Sequence, residues 1–345
     1  MVYAWDIRRF NNGYALYGIA VQGFVFNEKE DGGSVMEFLE FVTKVEAEVK
    51  DRLGKECSIE IHKVYKNNGI KHTGLIICPK EETLRPVIYL EPFFEMYMDD
   101  DSGESSFDNT VTEIMECYLS GNCHMDGINP EAIAGFEQMK EKVMFKFING
   151  EENKELLQDI PHMPYLDLAV IFYLLLSIDE RNQVTALIHN EHIQAWGTNV
   201  EELYHLASIN TPKNLPVILR SMAEVMAEIL GLPEALELDA LVENVPLYVL
   251  SNPKGLNGAV TIIYPDVLQD FAEEKQTDLI LLPFSIHEML IVSDGEDLEY
   301  EHLQRMVKSI NESEVPRVDR LSNNIYKFCG ESGQISMIPS LNNDD

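Results

Sequence analysis

Three clusters in this chain have residue types and spacings that bear on chemistry. The first is His287, Glu288 and Asp294 in FSIHEMLIVSD. A histidine beside carboxylates can act as a general base, with a carboxylate orienting the imidazole or ligating a metal. It is not a metalloprotease motif, because HEML lacks the second histidine that a zinc-binding HExxH helix needs. The second is SNPKGLNG, with Asn252, Gly255, Asn257 and Gly258 after an apolar run. Its glycines and Lys254 suggest a phosphate-cradling loop, but the spacing fits neither GxGxxG nor GxxxxGKS/T. A tight turn with left-handed backbone accounts for the same residues. Asn252 and Asn257 are then the expected pocket residues, with Gly255 and Gly258 giving the backbone room to approach a ligand. The third is HNEHIQAWG, where His189 and His192 lie three apart beside Glu191. Capping of a helix by Asn190, with Trp196 packing as an anchor, explains this segment without a metal.

Other chemistry lacks support. Cys117, Cys123 and His124 are zinc ligands by type, but the gap between the cysteines is too long and no fourth ligand lies nearby. No metal site is assigned and the cofactor is unknown. There is no GxSxG elbow, and Ser285 beside His287 is weak evidence for a serine nucleophile. His62 and Lys63, with Tyr89 and Glu91, place titratable groups on neighbouring strands, which fits the solvent face of a half-buried sheet.

Apolar periodicity supplies the elements that would position these groups. Ser34 precedes a helix with Phe38, Phe41, Val42, Val45 and Val49 on one face, stopping near Gly54. CSIEIHKVYKNNGIKHTGLIICP reads as two strands around an Asn-Asn-Gly turn, with RPVIYLEP as a third. Helices are expected at about 107–119, 130–149 and 217–230. LDLAVIFYLLL and VTALIHN read as strands, as do PLYVLSN, the pair DLILLP and IHEMLIVSD, and NIYKFC. PDVLQDFAEEK and EDLEYEHLQRMVKSINE read as helices. The clustering of strands makes the expected fold class α+β, with two domains at 36–150 and 160–330, each a small, mostly antiparallel sheet packed with helices. Residues 1–35 read either as an extension holding a short strand pair or as sequence translated upstream of a start at Met36, and 331–345 as a flexible tail.

The 345 residues include 59 Asp+Glu against 26 Lys+Arg, a formal net charge of −33, with 45% hydrophobic residues. The chain can build ordinary cores, while its surface repels polyanions, which argues against nucleic acid or an anionic membrane as partner. No run reaches the ~20 apolar residues of a membrane span. Five dispersed cysteines without a CxxC suggest a reducing cytoplasm.

The strings EIHKVYKNNGIKHTGLII, PVIYLEPFFEMY, LDLAVIFYLLL, LIHNEHIQAWG, EELYHLASINTPKNLP, YVLSNPKGLNGA and LPFSIHEMLIVSD resemble an uncharacterised family found mainly in clostridial and related gut bacteria, domain of unknown function 5688. The resemblance runs from about Met36 to about Phe328. It implies no activity, cofactor or partner. The leading functional expectation is a cytoplasmic, non-catalytic binding or protein-interaction module, recognising a protein or a small molecule. The alternative is a hydrolase with its site where 252–258 meets 285–294. His287 would be the base, Glu288 or Asp294 its orienter or a metal ligand, and Asn252 and Asn257 the substrate-binding groups.

Overall fold

The computed structural model describes residues 32–54, 57–79, 84–99, 104–120, 124–128, 135–178, 183–230, 247–295 and 298–339. The chain begins with helix α1 (Gly32–Leu53), strands β1 (Cys57–Tyr65), β2 (Lys71–Pro79) and β3 (Leu84–Tyr89), and helices α2 (Glu91–Asp99) and α3 (Glu104–Ser120). Strand β4 (His124–Ile128), helix α4 (Phe136–Met139), strand β5 (Val143–Asn149) and helix α5 (Lys154–Leu157) follow. Next come β6 (His162–Tyr165), β7 (Leu168–Ile178), β8 (Gln183–Leu187), α6 (Asn190–Trp196), α7 (Val200–Asn214), β9 (Ile218–Ser221) and α8 (Met222–Leu230). The last elements are β10 (Leu247–Ser251), α9 (Val267–Lys275), β11 (Leu279–Leu282), β12 (Met289–Ser293), α10 (Tyr300–Ser313), β13 (Tyr326–Cys329) and β14 (Gln334–Met337). Small antiparallel sheets packed with helices make the fold α+β.

The chain folds as two compact units that interleave in sequence. One combines the described residues of 24–142 and 173–198, the other those of 143–172 and 199–345. The expected division at 150–160 therefore does not hold: β5 and β7 belong to one sheet, and the chain crosses between units within β7.

In the first unit, β1 to β4 form an antiparallel sheet in sequence order. Asn68 (φ 57°) and Gly69 (φ 69°) turn the β1–β2 hairpin through the left-handed region, as Asn and Gly do at low cost. The register pairs Val64 with His72 and Lys63 with Thr73. Phe41, Val42, Val45 and Val49 of α1 share one helical face. They pack on Leu75, Ile77 and Ile88 of the sheet and on Phe94, Val111 and Ile114 of α2 and α3.

In the second unit, six strands pair antiparallel in the order β14-β13-β11-β12-β10-β9. Every residue of β11 is buried, so both faces of its LILL run are covered. Leu303 and Val307 of α10 pack with Ile280, Leu282 and Val292. Truncating such a fully buried side chain to alanine typically costs about 2–4 kcal/mol.

Three expectations are corrected. Residues 143–149 are strand β5 rather than the end of a helix, which shortens to Phe136–Met139 plus a 3-10 turn over Lys140–Lys142. VMFKFIN is β-branched and aromatic, and short apolar runs of this kind do not separate strand from helix by period alone. Ile218–Ser221, read as helix, is the edge strand β9. Residues 334–337, assigned to a flexible tail, form β14 against β13. The extension at 1–35 lies outside the described residues up to Gly32, where α1 begins.

Candidate functional site

His287 sits between two backbone segments that the sheet brings together. The register of β10 against β12 pairs Leu250 with Met289. That places Ser251, the last residue of β10, beside the segment just before β12. Ser251 Oγ donates to the His287 carbonyl at 2.7 Å. After Ser251 the chain makes a tight loop. Asn252 Oδ1 accepts from the Lys254 N–H, its Nδ2 donates to the Leu256 carbonyl, and its own carbonyl accepts from the Gly255 N–H. Gly255 (φ 61°) and Asn257 (φ 54°) close the loop in the left-handed region. At Gly258 a Cβ would lie 2.2 Å from Ser251 Oγ and 2.4 Å from the His287 carbonyl oxygen, so only glycine fits there.

The imidazole is held at both nitrogens. Nδ1 accepts the Asn257 backbone N–H at 3.2 Å. Nε2 lies 3.2 Å from Asp319 Oδ1. These partners assign the neutral tautomer: Nδ1 is the acceptor and Nε2 carries the proton. The His287 backbone N–H donates to Ser285 Oγ at 3.1 Å. Asp319 closes a 3-10 turn at Arg317–Asp319, and its carbonyl accepts the Ile286 N–H at 2.8 Å. The bridge between Ser285 and Arg320 ties that turn to the His287 segment.

Glu288 is 4% exposed, and its Oε2 is buried without a hydrogen-bond partner. Burial, and then the nearby Asp319 carboxylate, push its carboxyl up to about 8. The side chain is therefore neutral at pH 7 and supplies no charge to orient a base.

Asp294 stands apart, beyond the far end of β12. Its carboxylate accepts from Tyr300 Oη at 2.8 and 2.9 Å and from Lys327 Nζ at 2.7 Å. Lys327 also pairs with Asp278 at 3.0 Å, and the hydrogen bonds it donates to the Asp294 and Asp278 carboxylates push its ammonium group above the usual lysine range. This is an ion-pair network across β11, β12 and β13.

The sequence-predicted residues thus divide. His287, Asn252, Gly255, Asn257 and Gly258 converge on one loop, with Glu288 buried beside it, while Asp294 joins another network. Asn257 meets His287 through its backbone. Asp319 had no signal in sequence, because RVDRL matches no motif and only the fold carries it to His287. At the third cluster, His189 rather than Asn190 precedes α6. The His189 N–H donates to His192 Nδ1 at 2.8 Å, and Trp196 stacks on His192. Among the described residues no three His, Cys, Asp or Glu side chains gather to hold a metal. Cys123 lies outside those residues. No described helix is long and apolar enough to cross a membrane.

Chemically, the His287 cluster is closed on itself. A general base needs a nitrogen lone pair facing substrate, and here the Nδ1 lone pair points at a backbone N–H. Both neighbouring serines also bond within the cluster: the Ser251 hydroxyl donates to the His287 carbonyl and Ser285 Oγ accepts the His287 N–H. What it delivers outward is a fixed loop: Pro253, Lys254 and Leu256 are exposed, Leu256 at 39%.

One family model, described as Family of unknown function (DUF5688), matches residues 38–329. No curated protein and no solved structure matches the chain.

Proposed function

The chain belongs to the Family of unknown function (DUF5688), and within it we propose a cytoplasmic, non-catalytic binding module that recognises a protein partner through the loop 252–258. The observation that carries this reading is the double engagement of His287. The residue best suited to catalysis by type spends both ring nitrogens on Asn257 and Asp319. Its effect is to hold a loop in one conformation. A preformed loop loses little entropy on binding, which favours recognition. Leu256 and Pro253 offer apolar contact and Lys254 a charge, a combination suited to a protein surface. The free thiols Cys57 and Cys329 accord with a reducing compartment.

The hydrolase reading gains nothing from this arrangement. It would need Asn257 to withdraw from His287 and free Nδ1, and it would need Asp294 near the imidazole.

Capture on immobilised full-length protein from its native cells tests the proposal. The expected result is a specific protein retained by the wild type and lost with Leu256→Asp, a surface change that leaves the fold intact. Equal capture by both, or turnover of an ester or amide panel that His287→Ala abolishes, would overturn it.

A further inference from the structure

We propose that β1 is a self-association edge: a second copy of this chain adds its own β1 antiparallel to it, about a two-fold axis at Ile61. The sheet of the first unit ends in β4 on one side and β1 on the other. The two ends differ. β4 has five residues, and its register with β3 shifts between Arg85 and Val87. Shortness and irregularity of this kind keep an edge from recruiting another strand. The end strands β9 and β14 of the six-stranded sheet are short as well, with four residues each. β1 runs for nine residues without a proline and keeps one register with β2 throughout.

The ladder determines which backbone groups face outward. The Lys66 N–H donates to the Ile70 carbonyl at 2.7 Å, so those two residues form a hydrogen-bonded pair. Alternation along an antiparallel ladder then engages Val64, His62, Glu60 and Ser58 with β2. It turns the N–H and C=O of Ile59, Ile61 and Lys63 away from β2. The far side of β2 agrees, since the Thr73 carbonyl, opposite Lys63, accepts the Leu90 N–H at 3.0 Å. Among the described residues no strand pairs with this outer edge. A row of free donors and acceptors on a long, regular strand is a template for strand addition.

The side chains select a second copy as the occupant. Ile59 and Ile61 lie on the helix-bearing face and are only partly buried against its core. Glu60 and His62 lie on the opposite face, half-exposed, with Oε2 and Nε2 2.9 Å apart. Lys63, the residue that could guard the edge, instead turns its Nζ to Thr73 Oγ1 on β2.

A two-fold axis normal to the sheet keeps each side chain on its own face, so odd-numbered residues meet odd and even meet even. Centring on Ile61 sets that residue against its counterpart, and the two half-covered isoleucine pairs become one apolar row. It sets Ile59 against Lys63, whose carbon stem can cover it. It sets Glu60 against His62 twice, at the non-hydrogen-bonded positions where cross-strand side chains stand closest. A shift to Glu60 as centre would oppose two glutamates. A shift to His62 would leave Glu60 facing Val64. Charge therefore chooses the register. The segment Cys57–Tyr65 holds one Glu and one Lys, so the seam itself adds nothing to the net charge of −33. Repulsion between the outlying acidic surfaces is screened beyond about 8 Å at physiological salt.

The test is sedimentation velocity of the full-length protein over a concentration series at about 0.15 M salt. The wild type should show a reversible monomer–dimer equilibrium. Lys63→Pro removes an N–H that β2 does not use, a position where an edge strand tolerates proline. It should raise the dimer dissociation constant about tenfold or more, with the thermal midpoint of the monomer kept. His62→Glu, a surface change, opposes like charges and should weaken the dimer comparably. Adding Glu60→Lys to His62→Glu reverses both partners of the pair and should bring the constant back to within about threefold of the wild type. A monomer at every concentration would overturn the proposal. So would a dimer that Lys63→Pro leaves within about twofold, or a double variant no tighter than His62→Glu alone. A chain that stays monomeric but retains a foreign polypeptide, lost with Lys63→Pro, would overturn it in favour of a different occupant.

Discussion

Asp319 Oδ1 lies 3.2 Å from His287 Nε2, and the two residues meet across 32 positions of sequence with both side chains largely buried. The opposite nitrogen of the same ring accepts the Asn257 N–H. His287 therefore bridges the turn after β10 to the 3-10 turn at Arg317–Asp319. Its chemistry goes into holding two loops together.

His287→Ala removes both bridges and leaves the Asp319 carboxylate without its donor. We expect a loss of about 2–4 kcal/mol in urea unfolding. Asp319→Asn keeps an acceptor at Oδ1 and should cost only about 1 kcal/mol. If His287→Ala unfolds at the wild-type midpoint, the bridge contributes nothing to stability.

Gly258→Ala forces a methyl against Ser251 Oγ and the His287 carbonyl, both at well under contact distance. The turn must shift to admit it, and a cost above about 2 kcal/mol is expected. Gly255→Ala tests a different cause. There the penalty comes from the left-handed backbone (φ 61°) and should be only about 1–2 kcal/mol. Thermal unfolding of the two variants side by side separates steric from torsional strain.

Glu288 makes stability depend on pH with a definite sign. Its folded-state value is raised to about 8, against about 4.3 for an unfolded glutamate. The folded state holds the proton longer. Its contribution is therefore fully present below about pH 4 and is lost as pH rises through about 8. Glu288→Gln, which stays neutral, should match the wild type near pH 4. By about pH 8 it should exceed it by a few kcal/mol. Denaturant titrations at several pH values check this, and a difference that does not grow between those limits contradicts it.

Asp294→Asn weakens the network with Tyr300 and Lys327. Lys327 is partly exposed, so solvent screening limits the effect to about 1 kcal/mol. Because Asp294 is remote from His287, the substitution should leave partner capture through loop 252–258 unchanged. Loss of capture with stability preserved would return Asp294 to the functional site.

Much of the fold was legible where local chemistry and tertiary context agree. Asn67-Asn68-Gly69 set a turn and α1 carries its apolar face, and both stand as read. β5 is not legible as a strand, because VMFKFIN follows a helical start without a break and pairing with β7 decides its state. The site was half legible. Asn252, Gly255 and Gly258 announce a tight turn, and the turn is there. The role of His287 was not legible, because it depends on Asp319 and on a backbone N–H, and neither leaves a spacing signature.

The most direct test of His287 as a structural bridge is a long-range proton–nitrogen correlation spectrum of its imidazole in the full-length protein at about pH 7. The predicted result is a single tautomer, with the proton on Nε2 and Nδ1 shifted as a hydrogen-bond acceptor. A ring exchanging between tautomers, or one protonated at Nδ1, would mean that Asn257 does not hold it, and a nitrogen would then be available for catalysis.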